Sequence, residues 1–386
     1  VVTQPLRLSL DVSAVPSEPA GAGRYTLGLA AALAQRPDVE LTMESRSEDA
    51  ERWRALAPDA SVQAVAPSPR PLRLAWEQTG LPRRLRRLSV EVHHGPHYTM
   101  PEASSLPRVV TIHDLTFFDH PEWHQRTRVP FFRRAIRVAA RHADALVCVS
   151  ASTAERLAEI CAPSGPVHVV PHGVDHERFR PDEPEPGADA AALEGLGITG
   201  PYVAFVGTLE PRKDVPTLVR AFDRMCAAHA GLTLVLAGGA GWGAAAVDQA
   251  IAEARHADRI VRAGYVADTV VAALLRRAAA VAYPSLEEGF GLPALEALAC
   301  GAPLATTTGS AMQEVVQGAA VLVAPRDVDG LAGALDLLVR RDEGLAARRA
   351  RGLAVAARHN WSASATGHVE AYRDAIAQRK AVKEAD

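Results

Sequence analysis

A chain of 386 residues with 48% hydrophobic residues is too long for one ordinary core and suits two compact domains. A formal net charge of −3, with no apolar run near the ~18–20 residues a bilayer span needs, argues against a nucleic-acid partner and a membrane anchor. The stretch VVTQPLRLSLDVS has no signal-peptide pattern, and Cys148, Cys161, Cys226 and Cys300 stand far apart without C-x-x-C spacing, so reduced, mostly core thiols in a cytoplasmic protein are expected.

Short β-branched, apolar runs alternate with Ala/Leu-rich segments, the pattern of parallel sheets flanked by helices. A first series predicts strands at 6–12, 39–43, 62–65, 90–94, 108–114, 145–150 and 167–171. Residues 181–200, PDEPEPGADAAALEGLGITG, are acidic and rich in Pro and Gly, and read as a linker followed by a short helix. A second series predicts strands at 201–207, 232–239, 259–264, 280–285, 303–307 and 320–325. The expected domains are 1–180 and 201–360, each a doubly wound unit with its ligands at the carboxyl ends of the strands.

Within that frame, AVAYPS (280–285) is a strand, LEEGFGL the loop beyond it, and Pro293 opens the helix PALEALACG. Backbone N–H groups of Gly289 to Leu292 would sit at a helix N-terminus, a ready anion site. Glu288 precedes that turn and Glu296 lies inside it. By residue type alone Glu287 and Glu288 could equally be loop charges, with Glu296 complementing the helix dipole. The basic pair Arg212 and Lys213, in FVGTLEPRKD, follows the strand 201–207. Counting gives 39 arginines but only three lysines, at 213, 380 and 383, which makes Lys213 unusual and arginine clusters uninformative by themselves.

E-x7-E enclosing G-F-G-L-P and followed by EALACGAP resembles the signature of the retaining glycosyltransferases of family 4, and GTLEPRK (207–213) with GW (241–242) resembles their mannosyltransferase-like branch. The resemblance extends over GAGRYT (21–26), TIHDL (111–115), VVPHGVD (169–175), FVGTLEPRKD (205–214) and WSASATGHVEAYRDAI (361–376). It implies an α/β fold, GT-B, in which two doubly wound Rossmann-like domains face each other across a cleft. It also implies a C-terminal helix, within 361–386, that completes the first domain on the acceptor side.

The same resemblance implies that Glu296 holds the nucleotide ribose and Glu288 meets the donor sugar, while Gly289, Phe290, Gly291 and Leu292 present the loop backbone to the donor. Glu287 would be a bystander. Arg212 and Lys213 would neutralise the departing diphosphate without a metal; family members often carry an arginine where this chain has Thr208 or Leu209, and Arg212 is the expected substitute. His113 would contact the transferred sugar, with Asp114 orienting it or holding the neighbouring loop. Gly21 and Gly23 would let backbone approach a donor phosphate, and Val266 would lie near the base. Arg24, Tyr25, His94 and Asp114 are expected on the acceptor side, as is the HHGPHY loop; His93, His94 and His97 match no common zinc spacing.

The implied activity is transfer of a hexose, mannose from GDP-mannose first, to a glycan or glycolipid hydroxyl, with no cofactor or metal. A UDP-sugar transferase, a GT-B epimerase and a silent nucleotide-sugar-binding module are the alternatives. Two arginine-rich segments, 69–88 and 126–145, leave a peripheral place at the inner face of a membrane open, although ordinary solvated helix faces are the favoured reading.

Overall fold

The computed structural model describes residues 4–385 and divides into two compact units. One comprises the chain up to Gly173 with the stretch from Trp361, and the other runs from Val174 to Asn360.

Seven parallel strands build the first unit: β1 (Leu6–Asp11), β2 (Val39–Arg46), β3 (Ser61–Ala66), β4 (Val92–Gly95), β5 (Arg108–Ile112), β6 (Ala145–Cys148) and β7 (Val167–Val169). Their order in the sheet is β3-β2-β1-β4-β5-β6-β7. Central strands covered on both faces must be apolar almost throughout, and every residue of β4, β5 and β6 is buried. Leu8 lies opposite Leu41 and Val92, in one core with Leu10, Leu29, Leu33 and Trp53. Each such leucine contributes about 1.5–3 kcal/mol by leaving water. The C-terminal helix Trp361–Ala385 inserts Ala365, Val369, Tyr372 and Ala375 into this core, so the first unit is discontinuous in sequence.

The second unit holds six parallel strands: β8 (Tyr202–Val206), β9 (Thr233–Ala237), β10 (Ile260–Gly264), β11 (Ala280–Tyr283), β12 (Leu304–Thr307) and β13 (Val321–Val323), ordered β10-β9-β8-β11-β12-β13. The helix Val215–Met225 buries Val215, Leu218, Val219, Phe222 and Met225, an apolar stripe at helical spacing.

Each strand order reverses once, between β1 and β4 and between β8 and β11. The crevices at these two points are where open α/β sheets take ligands.

The boundary differs from the expected one. Residues 174–180 and the expected linker 181–200 belong to the second unit. Val174 pairs with Asn360, and its N–H donates to the His359 carbonyl. In the helix Ala188–Glu194, Asp189 forms a buried two-pronged ion pair with Arg276, at 2.6 and 2.8 Å. Pro, Gly and acidic content read as a linker because sequence does not reveal that Arg276 waits for Asp189. Among the described residues, no helix is long and apolar enough to cross a membrane.

Candidate active site

At the β8/β11 switch point the turn Pro211–Lys213 follows β8 and the loop bearing Glu288 follows β11. The two are stitched together by a backbone bond from Leu286 N–H to the Arg212 carbonyl, 2.8 Å. Glu288 is buried and bridges both cations: Arg212 Nη1 donates to its Oε2 at 2.5 Å, and Lys213 Nζ donates to its Oε1. Arg212 also pairs with Glu210 at 3.1 Å through Nε. Burial alone would raise the Glu288 carboxyl, but the adjoining charges of Arg212 and Lys213, with their hydrogen bonds, hold it down at about 2. Burial lowers Lys213 from the ordinary amine range, with Glu288 the main opposing influence. The result is an ionised carboxylate clamped between two cations.

Beyond Glu288 the chain turns at Gly291, whose φ of 101° suits only glycine and where a Cβ would come within 2.8 Å of Met312. The helix Leu292–Ala299 starts there with Pro293 in its first turn. Glu296 lies in this helix and is buried, as are Phe290 and Leu292; Gly289 and Glu287 are half-buried. Glu287 contributes its backbone carbonyl to Arg212 Nη1 at 3.4 Å. Val266 is half-buried in the turn between β10 and the helix Asp268–Arg277. The structure therefore brings Arg212, Lys213, Glu288 and the glycine turn together at one end of one sheet.

In the first unit His113 follows β5 and is buried, its Nε2–H donating to the Pro96 carbonyl at 2.8 Å. Burial lowers its pKa, so the ring is neutral near pH 7 and keeps an Nδ1 lone pair. Its ring meets Tyr25 edge-on at 4.9 Å and Tyr98 at 5.6 Å. Asp114 does not orient it: Oδ1 accepts from the Thr116 N–H and hydroxyl, at 3.2 and 2.7 Å, and so holds the following turn. Orientation comes instead from Pro96 and Tyr98, which composition did not flag. Tyr98 is buried at a φ of 64°, an uncommon conformation for an aromatic residue, and its hydroxyl accepts from the Asp114 N–H.

Tyr25 and His94, expected on the acceptor side, are completely buried. They belong to a hydrogen-bond chain whose direction one acceptor-only group settles. His368 Nδ1–H must donate to the Ser364 carbonyl (2.7 Å), so its Nε2 accepts from the Tyr25 hydroxyl (2.7 Å). Tyr25 then accepts from Thr111 (2.8 Å), Thr111 from His94 Nε2–H (2.8 Å), and His94 Nδ1 from Tyr372 (2.8 Å). His93 is likewise buried, with Nδ1 on the Ser9 hydroxyl at 3.0 Å, so HHGPHY is mostly interior rather than an acceptor surface. Gly21 caps the helix Ala22–Ala34 at a φ of 46°, while Gly23 is buried where a Cβ would come within 2.9 Å of Pro19, so close packing explains it better than phosphate approach. Arg24 is half-exposed.

All four cysteines are free, and three are buried. Among the described residues one group could bring metal-ligating atoms within 4.8 Å of one another, Asp223, Cys226 and His256, and it contains none of the site residues above. Asp223 is already occupied there by the backbone N–H and ring of His256.

Family models match both units in turn. The glycosyltransferase family 4 model covers residues 19–178, and the glycosyl transferases group 1 model covers 200–341. The chain is a glycosyltransferase, with a family 4 domain followed by a group 1 domain. It is 28% identical over 305 residues to the O-antigen chain mannosyltransferase B of Escherichia coli, spanning 78% of this chain and 77% of that protein. It is 32% identical to the glycogen synthase of Mycobacterium tuberculosis over 72% of this chain, and 34% identical to the D-inositol 3-phosphate glycosyltransferase of Acidothermus cellulolyticus over 62%. The matches span only 65% and 55% of those two proteins. In fold the glycosyltransferase matches the sucrose-phosphate synthase of Thermosynechococcus elongatus, with a TM-score of 0.77 and 20% identity over 96% of this chain and 99% of the other. It also matches the Anabaena protein Alr3699/HepE, solved with UDP-glucose, with a TM-score of 0.73 and 18% identity over 95% and 98%. Its two parallel-sheet, Rossmann-like units are thus those of the GT-B fold.

Proposed function

We propose that this glycosyltransferase moves a hexose from a nucleotide diphosphate sugar to an acceptor hydroxyl with retention of configuration, using GDP-mannose. The placement of Arg212, Lys213 and Glu288 at the β8/β11 switch point carries the reading. A buried lysine and a half-buried arginine held beside one carboxylate are a charge reserve for a ligand bearing more negative charge than Glu288. When a diphosphate takes over Arg212 and Lys213, Glu288 is released to accept hydrogen bonds from sugar hydroxyls. As the C1–O bond to phosphate breaks, the cations stabilise the growing charge, needing no metal. The acceptor oxygen bonds to C1 from the same face, and its proton passes to the departing phosphate oxygen. His113, with its proton on Nε2, offers Nδ1 as an acceptor for a sugar hydroxyl.

Mannose is favoured by the 28% identical mannosyltransferase relative. A thermal-shift panel of GDP-mannose, UDP-glucose, ADP-glucose and dTDP-glucose tests the donor, because a ligand that binds only the folded state raises the melting temperature. GDP-mannose should give the largest shift, and product NMR with an accepted alcohol should show the α anomer. A larger shift with UDP-glucose would move the donor assignment, and an inverted product would end the retaining mechanism.

A further inference from the structure

The turn that carries Arg212 and Lys213 is pinned at both ends. On one side the Leu286 N–H holds the Arg212 carbonyl at 2.8 Å, and on the other Val215 and Leu218 of the helix Val215–Met225 are completely buried. Between these anchors the chain closes a tight turn and starts a helix in a new direction. The turn closes through the Lys213 N–H on the Glu210 carbonyl (3.0 Å) and the Asp214 N–H on the Pro211 carbonyl (3.1 Å); the Thr217 N–H then donates to the Asp214 carbonyl (3.0 Å) as the helix begins. Asp214 is the joint between the two, with a φ of 46° and a ψ of 41°. Glycine adopts this left-handed conformation freely and Asn and Asp tolerate it, whereas alanine resists it because its Cβ crowds the following carbonyl.

The carboxylate does not account for the residue. Its Oδ2 is buried without a hydrogen-bond partner among the described residues, and burial raises its pKa against the opposing hydrogen bond of Thr217. An aspartate at a helix N-cap ordinarily has extended backbone, and this one does not. The demand at position 214 is therefore for a backbone shape. Lys213 depends on that shape directly, because it is buried with its ammonium on Glu288 Oε1 and cannot slide to a new place in solvent. With Val215 fixed in the interior, any relaxation of Asp214 to the right-handed region must be taken up by the Pro211–Lys213 turn.

We propose that Asp214 is a positioning residue for the transfer, its left-handed backbone aiming Lys213 and Arg212 at the diphosphate. It rests on the role of Lys213 proposed above and on no choice of nucleotide base. Steady-state hexosyl transfer and chemical denaturation of Asp214→Asn, Asp214→Gly and Asp214→Ala test it together. Asn and Gly reach the same backbone without the charge and should keep kcat within about threefold, while Ala should lower kcat ~10-fold with the acceptor KM unchanged. Asp214→Ser takes the place of Asp214→Ala if that variant does not melt cooperatively. Titration calorimetry with GDP and GMP, repeated with UDP and UMP, gives a second readout: Ala should weaken the diphosphate ~10-fold and the monophosphate no more than about threefold. Introduced into Lys213→Ala, Asp214→Ala should lower kcat no further. An unchanged kcat in Asp214→Ala with stability lost marks a purely structural residue and overturns the proposal. Equal damage from Asn, Gly and Ala also overturns it, since that marks the charge, as does a further ~10-fold loss in the Lys213→Ala background. Full transfer by Lys213→Ala overturns the cation reading itself, whereas an inactive Lys213→Ala beside a fully active Asp214→Ala overturns only the role of Asp214.

Discussion

In the first unit burial works against charge on several groups: it lifts Glu44 to about 7 and Glu77 to about 8, and pushes His93 and His97 to about 3. In the second unit Glu288 stays ionised between Arg212 and Lys213, and Asp189 pairs with Arg276. The first arrangement is a self-contained network. Its chain from Ser364 through His368, Tyr25, Thr111 and His94 to Tyr372 ties the C-terminal helix to the sheet and needs no visitor. A buried ion cluster is a weaker source of stability, because desolvation offsets the attraction. The Glu288 cluster keeps charge available for exchange with a ligand. One sheet has spent its polar groups on architecture, and the other holds charge in reserve at its switch point.

The largest expected effect tests that reserve. Lys213→Ala should cut hexosyl transfer by ~10²–10³-fold in a steady-state assay, as loss of one preorganised charge-stabilising donor does, while the fold persists. Glu288→Gln should do comparable damage. Full activity in Lys213→Ala would break the comparison.

Acid should separate the units next. His93, His94, His97, His113, His172 and His368 all have folded pKa values lowered by burial, so the stability they confer is present above their unfolded value and lost as pH falls. Below pH ~6.5 each costs up to ~1.4 kcal/mol per pH unit. The Glu288 contribution is lost only as pH falls from about 4.5 towards about 2. Hydrogen exchange followed by mass spectrometry should therefore find β4, β5 and the C-terminal helix opening at pH 5.5, before the Glu288 loop. Simultaneous opening of both would count against the contrast.

Tyr25→Phe sharpens the reading of the neutral network. Removing this hydroxyl should cost ~1–3 kcal/mol in chemical denaturation, because His368 and Thr111 lose their partner. A raised acceptor KM with unchanged stability would return Tyr25 to the acceptor side. Glu77→Gln should have a smaller, alkaline effect. A folded pKa raised to about 8 gives stability that is present below about 4.5 and lost as pH rises through 8, so the variant should gain on the order of 1 kcal/mol over the parent at pH 8.5. Smallest of all, Glu287→Gln should leave kcat/KM within about twofold, since its backbone carbonyl, which the substitution keeps, meets Arg212. Equal damage from Glu287→Gln and Glu288→Gln would mean the wrong carboxylate sits in the cluster.

Much of this was legible from the chain alone. Apolar, β-branched runs mark most of the strands among the described residues, most clearly β5, β6, β8, β9 and β11, because a parallel strand covered on both faces has to be apolar along nearly its whole length. The loop from Pro284 to Pro303 announced a site through its paired glycines, Pro293 and the spacing of Glu288 from Glu296, all local backbone requirements. Lys213 stood out because lysine is so scarce. Polar residues at the ends of first-unit strands were less readable. His94 and Tyr25 occupy positions where a ligand contact and a buried network residue look identical in sequence. What separates them is the helix Trp361–Ala385, which places His368 and Tyr372 against them from more than two hundred residues away. The expected linker failed for the same reason, since its helix is anchored by Arg276. Local sequence determined the strands, the glycine turn and the cations, because those depend on neighbours along the chain. Only the tertiary structure decided which polar side chains were sealed in and which charges met, because burial and pairing depend on residues that sequence separation keeps out of view.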